Sequence, residues 1–186
     1  MTASTGLPAA RMAADGRLRV DWSALLRIAA PLMVTNAIQS ILSLTDTWYI
    51  GRLSTEAVAA IGAIYWLVTC VVLVLGGVGL AVQTFASQAE GGGRRRRASQ
   101  AAWNGLWSSL FALPLFLLAA ALGAPLIGAF ALSPGIERLA LDYWEPRMAG
   151  AFLGAMTWAA MSFFNAIGAT RITLIVALVT TVANVP

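Results

Sequence analysis

Residues 57–89 read AVAAIGAIYWLVTCVVLVLGGVGLAVQTFASQA, thirty-three positions between Glu56 and Glu90 without a charged side chain. A helix needs about 20 apolar residues to cross the hydrocarbon core of a bilayer. This stretch therefore predicts a membrane crossing. Charge-free intervals recur at 28–45, 98–136 and 148–170, and residues 172–186 after Arg171 are uncharged as well. One crossing per interval predicts five helices, near 28–50, 57–82, 99–122, 147–168 and 172–186. The expected fold class is all-α, a polytopic membrane helix bundle, with residues 1–27 as a tail ahead of a transmembrane domain over 28–186.

Composition agrees. Of the 186 residues, 59% are apolar and 11% charged, with a mean hydropathy of +0.78. Soluble domains average about 45–50% apolar and about 25% charged, so a disordered chain is excluded and a soluble one disfavoured. There is no His, the commonest general base and metal ligand. Cys70 is the single cysteine, which excludes an internal disulfide framework or a zinc cluster. An intramembrane enzyme would need a nucleophile–base pair or a metal cluster, and the spans offer neither.

The charges also predict orientation. One end of the five-helix reading collects Arg11, Arg17, Arg19, Arg27, the run Arg94–Arg97, and Arg171, against Asp15, Asp21 and Glu90. The other holds Arg52, Arg138 and Arg147 against Glu56, Glu137, Asp142 and Glu145. The positive-inside rule then places the N-terminus and the arginine run in the cytoplasm. Two crossings within 98–136 would invert this order. Pro125 and Pro134 predict a broken segment at the outer surface. The tail is expected to carry a short surface helix around Trp22, Leu25 and Leu26. Gly91–Arg97 reads as a cytoplasmic turn close to anionic lipid, not as a nucleic-acid site.

Polar residues within the spans mark the candidate site, since a helix in lipid turns such side chains toward protein or water. The first helix gathers Thr35, Asn36, Gln39, Ser40, Ser43, Asp46 and Thr47 within about 140° of arc. Asp46 is the one acidic residue inside a predicted span, at a cost of about 2.5–3.5 kcal/mol if it lies centrally. Such a carboxylate can take up a proton or, among other oxygens, a sodium ion. The competing reading puts Asp46 at the interface, capping a turn before Gly51.

On the fifth helix Thr173, Ala177, Thr180 and Asn184 share a face, and Asn184 falls at the depth of Asp46. The fourth carries Gly150, Gly154, Thr157, Met161 and Asn165 on one side. In the second, Gly62, Thr69, Gly76 and Gln83 recur every seven residues, as close packing would require. Helices one and five together are expected to line a cavity with Asn36, Gln39, Ser43, Thr180 and Asn165. Trp48, Tyr49, Tyr143 and Trp144 predict an outer aromatic belt and Trp22 an inner one. Trp103 and Trp107 fall near the inner end of the third helix. Tyr65, Trp66 and Trp158 lie deeper, where they could stack on a cationic aromatic substrate.

Several ordered motifs carry a resemblance. They are Arg27-Ile-Ala-Ala-Pro-Leu32, Leu44-Thr-Asp-Thr-Trp-Tyr-Ile-Gly-Arg-Leu53, Glu56-Ala-Val-Ala-Ala-Ile-Gly-Ala63 and Gly76-Gly-Val-Gly-Leu-Ala81. Further on stand Ser87-Gln-Ala-Glu-Gly-Gly-Gly93, Asn165-Ala-Ile-Gly-Ala-Thr-Arg171 and Ala183-Asn-Val-Pro186. Together they resemble the first half of a multidrug and toxic compound extrusion (MATE) transporter. That resemblance implies a twelve-helix antiporter of two six-helix lobes in a bacterial inner membrane. Re-entry of protons or sodium, with no cofactor, would drive export of drugs and other organic cations. It maps the cation-coupling positions to Asp46 and Asn184 and a cavity-facing position to Gln39. A lipid-linked oligosaccharide flippase of the same superfamily is the alternative. Such proteins usually line the cleft with Arg or Lys, and no Arg falls inside a predicted span. A structural membrane subunit that pairs with a separate half is a further alternative. Because the chain stops before a sixth helix, a piece of a longer protein is expected, with the second lobe as the missing partner.

Overall fold

A computed structural model describes residues 10–12 and 17–184. A small antiparallel hairpin, β1 (Ala10–Met12) and β2 (Leu18–Val20), precedes the helices. Asp21 then caps α1 (Trp22–Leu53) by accepting from the amides of Ser23 and Ala24 at 3.1 and 3.3 Å. The expected surface helix around Trp22 is thus the first turn of α1, continuous with the span.

The second crossing is α2 (Thr55–Gly76) followed by α3 (Val78–Gly91). The break falls at Gly77, where the Leu80 amide reaches back only three residues to the Gly77 carbonyl. The third crossing is α4 (Arg95–Phe111), α5 (Leu113–Ala121) and α6 (Gly123–Gly128) in succession. Its interruptions at Ala112 and Leu122 each precede a proline, Pro114 or Pro125, which has no N–H to give to the carbonyl four residues back. Bonds from Ala112 to Ser108 and from Leu122 to Leu118, both 3.0 Å, carry the helical path across.

The fourth crossing, α7 (Pro134–Ala166), starts thirteen residues earlier than expected. Pro134 opens the helix instead of breaking a surface segment, because a first-turn proline loses no hydrogen bond. The acidic stretch Glu137–Arg147 is its first three turns. A corner at Gly168, with φ +75°, leads to α8 (Thr170–Asn184). Among the described residues three segments, 22–53, 55–76 and 95–121, are long and apolar enough by length and composition to cross a membrane.

Helix α7 is the centre of the bundle and packs against α2, α3, α4, α5 and α6. Gly76 lies beside Ala155 and Gly79 beneath the Trp158 ring, so α2–α3 and α7 run in the same direction. Trp144 is fully buried, and its indole N–H donates to the Ala119 carbonyl at 2.9 Å. Its place in the core corrects the aromatic-belt expectation. The ring fills the space that Gly123 leaves open, and a Cβ there would stand 2.5 Å from Trp144 Cδ1. Around it pack Ala60, Ile64, Val68, Ile127, Ala140 and Met148.

Helices α1 and α8 form a second unit, packed on each other and joined to the bundle through α2 and α7. Each follows or precedes its bundle neighbour through a tight hairpin, so the two run parallel. The outside of the whole assembly is apolar: Val74 is 80% exposed, Val182 76% and Phe111 75%. Such a surface is stable against lipid and not against water. The chain is a polytopic membrane helix bundle.

Candidate transport site

Most hydroxyls in these helices are satisfied inside their own turns. Thr35, Ser40, Thr45 and Thr47 each donate to the carbonyl four residues back, at 2.8–3.0 Å. Thr69, Thr157 and Thr180 do the same. Bonding of this kind hides a hydroxyl from lipid without a partner helix.

Four polar side chains of α1 are different. Asn36, Gln39, Ser43 and Asp46, spaced three, four and three residues apart, are all exposed. None makes a side-chain hydrogen bond or ion pair among the described residues. At 100° per residue they form one stripe. It flanks the face on which α1 packs, which carries Pro31, buried Thr35, Ile38 and Leu42. Asp46 caps no turn, since α1 continues unbroken through Gly51 to Leu53. One turn beyond the stripe, the Arg52 guanidinium lies over the Trp48 ring, 4.1 Å from its centroid.

Helix α8 lies against α1, and Thr180 on it is exposed. Asn184 closes the helix, and its side chain lies outside the described residues. Asn165 sits apart from the stripe. Half-buried at the α7–α8 corner, its Oδ1 is 2.9 Å from the Thr173 hydroxyl, which also lies 2.7 Å from the Thr170 carbonyl. Asn165 thereby ties α8 to α7.

Two cavities open between α2 and α7. One, of about 230 Å³, is lined by Tyr65, Thr69, Tyr143 and Arg147 among others. The next, of about 340 Å³, is lined by Arg147, Gly150, Gly154 and Trp158. The small residues Gly150 and Gly154 thus make room instead of close contact. Arg147 borders both cavities from within α7, fourteen residues along it, a consequence of the early start of that helix.

The sequence pattern of the MatE family matches residues 31–186. The chain belongs to the MatE family. It is 30% identical over 170 residues to a probable multidrug resistance protein NorM of Synechococcus, covering 90% of this chain and 36% of the relative. A probable NorM of Thermotoga maritima is 30% identical over 87% of this chain and 35% of its own. The Burkholderia vietnamiensis NorM is 31% identical over 78% of this chain and 29% of its own. The chain therefore spans about a third of the length of these relatives. A solved MOP superfamily transporter from Pyrococcus furiosus, described as having a binding pocket of reversed polarity and a different function, superposes with a TM-score of 0.70 at 18% identity. It matches 84% of this chain and 35% of that one. The MatE fold is shared at that distance.

One polar surface of this MatE chain escapes the reading by spans. Arg94, which precedes the first turn of α4, and Arg97, Gln100, Asn104 and Ser108 on it follow one another at spacings of three and four, and all are exposed. They border a cavity of about 600 Å³ between α3 and α4. The spacing was visible in the sequence. It falls across the edge of the charge-free interval, where the arginines read as a loop and the amides as part of a span.

Proposed function

We propose that this MatE chain is the N-terminal part of an antiporter that exports drugs and other organic compounds in exchange for protons or sodium. Its membrane is the bacterial inner membrane, with the N-terminus cytoplasmic. The observation that carries the reading is the open stripe Asn36–Gln39–Ser43–Asp46. An unpartnered carboxylate and two carboxamides on a membrane helix must face water or further protein. A cleft between this lobe and a second one supplies both. Cation binding at Asp46, with Asn184 at equal depth on parallel α8, would alter how α1 packs on α8. A bound ion shifts conformations only through its differential affinity for them, so Asp46 must meet different surroundings in the two states.

The test is gradient-driven efflux of a cationic dye from cells producing the full gene product. Asp46→Asn is expected to reduce efflux to the level of cells without the protein, whereas Asp142→Asn, an exposed acid elsewhere, leaves it unchanged. Retained efflux in the Asp46 variant would discard the coupling role.

A second reading, export of a lipid-linked oligosaccharide, is favoured by Arg147 and its place beside two cavities, since a guanidinium suits a pyrophosphate. Arg147→Gln distinguishes them: dye efflux persists in the antiporter, and movement of the pyrophosphate-linked lipid is lost in the flippase.

A further inference from the structure

The cavity between α3 and α4 has two unlike ends. Toward the turn that joins the helices it is lined by Gln88, Arg94, Arg97 and Gln100, and away from it an apolar wall of α3, Val78, Val82 and Phe85, faces Asn104 and Ser108 of α4. Glu90, the acidic residue of this turn, lies 3.6 Å from Arg95. Arg94 and Arg97 have no acidic partner among the described residues. Among the described residues their positive charge is thus uncompensated where it borders a cavity. Phe85, 63% exposed, continues the groove with an apolar surface.

We propose that this groove holds the phosphate head group of an anionic phospholipid, with Arg94 and Arg97 as its cationic wall. Guanidinium groups match phosphate oxygens in pairs, and Gln88 and Gln100 add amide donors beside them. A volume of about 600 Å³ accommodates a head group and its glycerol but not two acyl chains. The chains would lie along the apolar α3 wall of Val78, Val82 and the exposed Phe85. A soluble phosphate ester has no use for that apolar wall, and a nucleic acid could not follow it into the membrane. Basic pockets between membrane helices on the cytoplasmic side hold lipid head groups by this means. The groove works independently of the transport reading, though its leaflet follows the orientation given above.

The test uses the full chain purified in a neutral detergent. Retention of phosphatidylglycerol is compared with that of phosphatidylcholine of the same chain length by native mass spectrometry. Wild type is expected to hold the anionic lipid about tenfold more tightly. Arg94→Gln with Arg97→Gln should abolish that preference. Arg95→Gln with Arg96→Gln removes the same charge away from the groove and should keep it. Arg94→Lys with Arg97→Lys, which keeps the charge, should restore part of it, showing that the double Gln variant has not lost its fold. Equal loss in the two Gln pairs, or no preference in wild type, would overturn the site. Displacement of the lipid by inorganic phosphate would assign the groove to soluble phosphate esters and overturn the lipid reading.

Discussion

At Thr47 and Asp46, adjacent on α1, polar side chains meet opposite fates. The Thr47 hydroxyl is bonded to the Ser43 carbonyl at 2.9 Å, while the Asp46 carboxylate has no partner among the described residues. Local bonding of this kind predicts which substitutions matter. Thr47→Val and Thr180→Val should leave dye efflux within about twofold of wild type, because a hydroxyl satisfied in its own turn offers little to a ligand. Gln39→Leu, which removes an unpartnered carboxamide from the stripe, should lower efflux markedly without loss of protein from the membrane. Trp144 tests the core at the same scale. Trp144→Phe keeps most of the buried area but leaves the Ala119 carbonyl without its donor, at a cost of about 1–3 kcal/mol. Trp144→Ala should cost more, about 3–5 kcal/mol. Thermal unfolding of the detergent-solubilised chain should order them wild type, Phe, Ala, and a Phe variant as stable as wild type would refute the hydrogen-bond argument.

Among the elements, α7 holds the bundle together, and small residues set how closely its neighbours approach. Gly105 of α4 sits where Val82 of α3 and Ala159 of α7 converge, and a Cβ added there would collide with the Val82 side chain. Gly105→Leu should therefore push α4 away from α3 and cost about 1–3 kcal/mol from overpacking. Gly62→Ala, with nothing within 4 Å of the added Cβ, should be neutral or stabilising. The two belong to different classes although both are glycines in apolar helices. The heptad Gly62, Thr69, Gly76 and Gln83 suggested one packing face, but of the two glycines only Gly76 meets a neighbour, Ala155 of α7. The interruptions at Ala112 and Leu122 lie two and three residues ahead of Pro114 and Pro125, whereas Pro31 and Pro146 sit inside unbroken α1 and α7, so a proline alone does not place a break.

For the whole molecule, the α1–α8 pair stands beside the α2–α7 bundle, and the apolar exterior requires a bilayer. Cys70, the sole cysteine, provides a probe of that environment. It is exposed at mid-α2 and borders an apolar hollow with Val74, Leu115 and Leu122. A charged reagent in water does not enter the hydrocarbon layer. A charged, water-soluble maleimide should therefore leave Cys70 unmodified in intact membranes and modify it after denaturation. Rapid labelling in membranes would place this face against water and overturn the lipid-facing assignment.

The charge-free intervals by themselves determined where the apolar helical segments lie and in what order, because an ionised side chain in hydrocarbon is costly enough to leave a gap wherever a chain crosses. The α1 stripe was legible for the same reason: polar residues in an apolar helix stand out, and their period is fixed by helix geometry. Helix ends were less so, since α7 extends over the acidic stretch from Pro134 once those side chains can point outward from a helix. Tertiary packing alone decided that Trp144 is buried, that Asn165 fastens α8 and not the stripe, and that Arg147 borders two cavities. Each depends on which helix lies next to which, a distance set by the small residues and bends of several separate segments, and no single stretch of sequence contains it.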